Sequence, residues 1–100
     1  MIEWARVVGF DWDAGNARKS ADKHSVTQSE AEQAFFAQPL LILEDRRHSS
    51  AEARFHALDR TDEDRRLHIT FTLRREATLI RVISARAMSA RERLAYEKGA

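Results

Sequence analysis

The sequence predicts an α+β fold: an antiparallel sheet of about five strands, in the order β-α-α-β-β-β-β-α, with helices packed on it. Three observations predict it. Between Leu40 and Ser84, four segments rich in aliphatic and β-branched residues follow one another, the pattern of an antiparallel meander. Two Ser/Thr-x-x-Glu capping boxes, Thr27 with Glu30 and Ser89 with Glu92, open helices on either side of it. An alternating apolar stretch at Ile2–Trp12 adds a strand ahead of the first helices.

Taken in order, Ile2, Trp4, Val8, Phe10 and Trp12 share one parity, interrupted by Arg6, and give the first strand a core-facing side. Asp13 can cap the next helix, with Asn16 as an imperfect capping-box partner. Residues 14–24 are helical in composition but thinly apolar; Ala14, Ala17 and Ala21 form the stripe, and Asn16, Ser20 and Lys23 a polar face. Ala31, Ala34 and Phe35 supply the core stripe of the second helix up to Ala37, and Pro39 stops it. Leu40–Leu43 is a short apolar strand, and Glu44–Glu52 a long polar connection. Ala53–Leu58 sets Phe55 and Ala57 against Arg54, His56 and Leu58, and Asp59–Arg65 reads as a charged turn. Leu67, Ile69, Phe71 and Leu73 then alternate with His68, Thr70 and Thr72, a half-buried strand. Thr78–Ser84 is the last strand, with Arg81 on the face opposite Ile80 and Val82. The final helix runs from the Ser89 cap to about Lys98, with Gly99 as its stop and Tyr96 packing with its hydroxyl at the surface.

One hundred residues, 43% hydrophobic and 33% charged, suit a single domain spanning 1–100 with one modest core. No apolar run has the length needed to cross a bilayer, and no signal-peptide pattern opens the chain, so a cytoplasmic protein is expected. Without cysteine, disulfides, thiol catalysis and cysteine zinc sites are excluded together. The net charge of +1 hides an asymmetry: residues 1–76 sum to −2 and residues 77–100 to +3. Of the 17 basic residues 14 are arginine, whose planar fork of donors suits phosphate and carboxylate. On composition alone a solvated charged surface is the more common meaning of such a balance; the sharper reading is a local anion site on a near-neutral protein, which would not coat nucleic acid indiscriminately.

The usual catalytic motifs are missing. The three glycines are scattered, no His-Glu-x-x-His pair occurs, and no serine sits in a nucleophile elbow. His48 and Glu52, four apart, make a local polar pair more readily than a metal site. What remains is a cationic inventory: Lys23 and His24, His48, Arg54 and His56, Arg81 and Arg86. If these groups converge, they suit metal-free RNA cleavage without any cofactor. The ribose 2′-hydroxyl is its own nucleophile, and the protein need supply only a base, an acid and cations for the developing charge on phosphorus.

Phe10-Asp11-Trp12-Asp13, Lys23-His24-Ser25-Val26, Phe36–Leu40, His48 with Glu52 and Arg54, Ile80–Arg86, and Arg91-Glu92-Arg93 with Tyr96 occur in order along the chain. Together they resemble the BrnT family of toxins. The resemblance implies a ribonuclease toxin of a type II toxin–antitoxin system with a RelE-like fold, which inhibits translation by cleaving RNA. It implies neutralisation, in a hetero-oligomer, by a BrnA-like ribbon-helix-helix antitoxin, which alone contacts operator DNA; no membrane is involved. Carried over by position, Lys23, His24, Arg54, Arg81 and Arg86 become candidates for RNA binding and cleavage, with His48 and Arg91 as further RNA contacts. We assign His24 to proton transfer and Lys23, Arg81 and Arg86 to phosphate stabilisation.

The chain departs from the family pattern at three places. Asn16 and Ser20 stand where Lys and Asn are usual, Ser25 where Gly is common after Lys-His, and Asp59 where a Gly is common near the end of the third strand. Ser25 at a helix exit costs roughly 1 kcal/mol if its φ is positive. Two functions follow. An RNA-cleaving toxin requires the cations to converge on an open surface. A catalytically weak homologue that serves as an antitoxin-binding co-repressor would have Arg81 and Arg86 occupied by carboxylates of the same chain.

Overall fold

The alternation predicted for Leu67–Leu73 becomes the middle of the sheet. The computed structural model describes residues 2–18, 25–36, 40–45, 47 and 52–99. A 3-10 turn at Trp4–Arg6 leads to β1 (Gly9–Phe10), followed by α1, described over 14–18, and α2 (Gln28–Ala34). Then come β2 (Leu41–Asp45), β3 (Arg54–Arg60), β4 (Arg66–Arg74), β5 (Leu79–Ala87) and α3 (Ala90–Gly99). The five-stranded sheet has the order β1-β5-β4-β3-β2.

The predicted meander forms from β2 to β5, each strand antiparallel to its sequence neighbour. The sheet as a whole is mixed, which corrects the expectation of a purely antiparallel one: β1 pairs parallel with β5, Gly9 opposite Leu79 and Phe10 opposite Ile80. The cause is the long helical connection, which carries the chain from β1 to β2 at the far edge and leaves β1 running alongside β5. β1 is also far shorter than the predicted Ile2–Trp12. The 3-10 turn, closed by Arg6 N–H to Glu3 C=O and Val7 N–H to Trp4 C=O, breaks the alternation. Val7, Ile2, Phe10 and Trp12 therefore pack on the core, whereas Val8 is 79% exposed and Trp4 42%.

One face of the sheet carries the core: Phe55, Ala57, Leu67, Ile69, Phe71, Ile80, Val82 and Ala85, covered by Ala31, Ala34 and Phe35 at α2. Phe35 sits edge-on to Phe71 at 5.0 Å and to Phe10 at 5.6 Å, and Phe71 stacks on Phe55 at 5.4 Å. Such pairs contribute about 0.5–1.5 kcal/mol each beyond their buried area. The other face holds a small second cluster under α3, made by Leu58, Met88, Tyr96 and Leu41. Tyr96 is only 2% exposed, not a surface hydroxyl, and Arg66 lies over its ring.

Both capping boxes form, Thr27 with Glu30 and Ser89 with Glu92. Asp13 and Asn16 bond reciprocally as a third, 2.7 and 3.0 Å. Asn16 is buried rather than on a polar face: its amide donates to the carbonyls of Asp11 and Val82, tying α1 to β5. α2 ends at Ala34, three residues short of the expected end, and Pro39 lies outside the described residues. Gly99 is helical with no positive φ; a Cβ there would come within 2.7 Å of Leu41 Cδ1, so its smallness serves close packing on β2. Ser25 does adopt a positive φ, 57°.

β3 runs to Arg60, so Asp59 belongs to a strand and not to a charged turn. It pairs with Leu67 and is wholly buried, with neither carboxylate oxygen hydrogen-bonded. Burial pushes its carboxyl up to about 8, which keeps it a neutral acid near pH 7.

Candidate functional site

The polar side of the sheet is built by strand alternation. Cα registers set the residues in three rows across β2, β3, β4 and β5: Asp45, Arg54, Thr72 and Arg81; Leu43, His56, Thr70 and Ser84; Leu41, Leu58, His68 and Arg86. Period-2 alternation alone would put Arg81 and Arg86, five apart, on opposite faces. A register shift resolves this: Thr70 pairs with Ser84 and Phe71 with Val82, leaving Ile83 as an extra residue in β5. The bulge keeps Ala85 in the core and turns Arg86 onto the same face as Arg81 and Arg54.

The arginines there meet carboxylates. Arg81 Nη2 donates to Asp13 Oδ2 at 2.9 Å, and Nη1 lies 3.6 Å from Asp11 Oδ2. Arg86 holds Glu92 with a two-pronged contact, Nη1 to Oε1 at 2.8 Å and Nη2 to Oε2 at 2.9 Å. That guanidinium, together with the Ser89 N–H, holds the Glu92 carboxyl down at about 2. The Asp13 carboxyl is likewise lowered, first by the Asn16 N–H and then by Arg81.

Two histidines lie between these pairs. His56 Nε2 is 2.9 Å from Asp45 Oδ2, and Nδ1 is 3.0 Å from Thr70 Oγ1. The His68 ring is 4.9 Å from that of His56, its Nδ1 is buried without a hydrogen bond, and its Nε2 is 3.8 Å from Glu92. Desolvation first, then the charge of Arg86, lowers the His68 pKa and favours the neutral ring. Thr72 is buried and its hydroxyl donates to Ala53 C=O at 2.6 Å.

Of the predicted site residues, Arg54, Arg81 and Arg86 share this face, while Arg91 is exposed on the first turn of α3. Lys23, His24 and His48 lie outside the described residues. Glu52, grouped with His48 in the sequence, accepts from Arg74 at 3.0 Å. His56 belongs to the cationic inventory of the sequence; His68, Thr70 and Asp45 fall outside it, although the alternation of β4 places His68 and Thr70 on its polar side. Among the described residues no group of three or more His, Cys, Asp or Glu is placed to hold a metal ion. None of the described helices is long and apolar enough to cross a membrane. A groove of about 470 Å³ lined by Trp4, Val8, Phe10, Phe36 and Leu40 is apolar and brings no reactive group together.

A family model described as "Ribonuclease toxin, BrnT, of type II toxin-antitoxin system" matches residues 12–92. No curated protein sequence matches the chain.

Proposed function

Since the chain belongs to the BrnT family of ribonuclease toxins of type II toxin–antitoxin systems, we propose that it is a metal-independent endoribonuclease that inhibits translation by cutting RNA. Family membership implies an antitoxin partner. In this reading the antitoxin is a BrnA-like ribbon-helix-helix protein that binds the toxin in a hetero-oligomer and alone contacts operator DNA, in the cytoplasm. The RelE-like arrangement implied by the resemblance belongs to the same proposal.

The observation that carries the reading is the β5 bulge, which gathers Arg54, Arg81 and Arg86 on one face beside two histidines. Guanidinium groups so placed suit a phosphodiester whose charge grows in the transition state. Lys23 and His24 remain candidates for phosphate contact and proton transfer, and His48 and Arg91 for RNA contact.

A second reading rests on its own observation. Arg81 and Arg86 are each held by carboxylates of the chain. Around this face stand three arginines against Asp11, Asp13, Asp45 and Glu92, which offers an RNA backbone little net attraction. That arrangement favours a catalytically weak protein whose main work is to grip the antitoxin.

The test is cleavage of RNA in EDTA by antitoxin-free protein, beside an Arg54→Ala/Arg81→Ala/Arg86→Ala variant and a Lys23→Ala/His24→Ala variant. Cleavage that survives EDTA and is lost in folded variants supports the nuclease. Equal cleavage by all three points to a contaminant or another site. No cleavage by any, with tight antitoxin binding, establishes the second reading.

A further inference from the structure

Resting on the ribonuclease reading, we infer that His56 is a further catalytic residue, taking the proton from the attacking 2′-hydroxyl, with Asp45 as its positioning partner. The two contacts of the ring divide its nitrogens. Asp45, only 14% exposed at its side chain, faces Nε2 at 2.9 Å, and a carboxylate there keeps the proton of the neutral ring on Nε2. Nδ1 is then the acceptor, and the hydroxyl 3.0 Å from it belongs to Thr70. A hydroxyl on the lone pair of an imidazole whose far side is anchored by a carboxylate is the arrangement that proton abstraction requires. In the free protein the Thr70 hydroxyl holds the place that the ribose hydroxyl must take, so substrate binding has to displace it from Nδ1. The His56 side chain is 29% exposed, so a substrate can approach it.

The surroundings fit the same role. Arg54 is two residues away on the same strand face, and Arg86 lies on that face opposite His68. His68, whose ring lies tilted against His56, is favoured as neutral, so that ring adds no positive charge beside His56.

The step balances without a co-reactant beyond water. The 2′-hydroxyl proton passes to His56 Nδ1 as the 2′-oxygen bonds to phosphorus. The bond from phosphorus to the 5′-oxygen breaks, its electron pair stays on that oxygen, and the oxygen takes a proton from water. The imidazolium, stabilised by Asp45, then gives its proton to the hydroxide left behind. The products are a 2′,3′-cyclic phosphate and a 5′-hydroxyl, with nothing oxidised or reduced.

The experiment uses antitoxin-free protein and a single-stranded RNA oligonucleotide, comparing wild type with His56→Gln, His56→Gly and Asp45→Asn, each checked for its fold by circular dichroism. We expect His56→Gln to lower kcat by about 100-fold or more with KM changed little, and Asp45→Asn to lower kcat by about 10-fold. Added imidazole should restore cleavage to His56→Gly, a rescue that a purely structural histidine would not show. A folded His56→Gln that cleaves like wild type, or a loss without rescue and with a raised KM, overturns the inference while leaving the nuclease in place. Intact RNA after incubation with wild type overturns both.

Discussion

Glu92 closes two structures with one carboxylate. Its Oε1 accepts from the backbone N–H of Ser89 at 2.9 Å and from Arg86 Nη1 at 2.8 Å, so the cap of α3 and the orientation of an arginine on the sheet are set together. Glu92→Gln should therefore weaken the cap and loosen Arg86, at a cost of about 1–2 kcal/mol. Its folded-state pKa of about 2 lies below the ordinary 4.5. The stabilisation is thus present above pH 4.5 and disappears as pH falls toward 2. Urea denaturation at pH 7 and pH 2.5 checks this: the gap between the variant and wild type should be markedly smaller at the second than at the first.

The same substitution separates the two functions. If carboxylates restrain the arginines from RNA, Glu92→Gln should bind single-stranded RNA more tightly, by roughly threefold to tenfold, with a steeper salt dependence. Fluorescence anisotropy at two salt concentrations measures both.

Asp59 works in the opposite sense with pH. Its folded pKa is raised, to about 8, so its contribution to stability is fully present below the ordinary 3.8 and is lost as pH rises through 8. Asp59→Asn removes the ionisation and should be more stable than wild type at pH 9 by roughly 3 kcal/mol, with the gap narrowing toward pH 4. Thermal melts across that range show the trend; parallel curves for the two proteins would contradict it.

Ser25 adopts φ 57°, a left-handed backbone that glycine adopts without strain. Ser25→Gly should raise stability by about 0.5–1 kcal/mol. The hydrogen bond from Arg65 to the Ser25 carbonyl, 2.7 Å, involves only backbone at position 25 and should survive. Chemical denaturation of the purified variant reads the change directly.

Trp12 donates its indole N–H to Glu32 at 2.7 Å and ties the segment before α1 to α2. Trp12→Phe keeps most of the apolar area and leaves Glu32 without that donor. A loss of about 1–2 kcal/mol is expected in the same assay.

Much of this was legible in sequence because the physics is local. Thr27 with Glu30 and Ser89 with Glu92 specify their helix starts by hydrogen bonds three residues long, and β4 declares its two faces by strict alternation. Features that depend on tertiary context were not legible. Parity counting separates Arg81 from Arg86, and only the extra residue Ile83 reunites them. The 3-10 turn at Trp4–Arg6 exchanges Val8 for Val7 in the core, an outcome fixed by packing and not by period. Asp59 reads as a turn residue by type, yet its strand continues past it and buries it. The site was half visible: the arginines stood out in the cationic inventory, whereas Asp45 and Thr70 acquire meaning only beside His56.

The parallel pairing of β1 bears on the order in which the molecule assembles. Strands β2 to β5 can form from successive hairpins, but Gly9 must wait for Leu79, far along the chain, before it has a partner. On a ribosome the strand of this sheet that is synthesised first is thus the last to be seated. The segment it anchors carries Asp11 and Asp13, so in a nascent chain, or in one whose N-terminal edge has peeled away, Arg81 is released from both carboxylates at once. Opening of that edge exposes a cation that the completed sheet keeps neutralised.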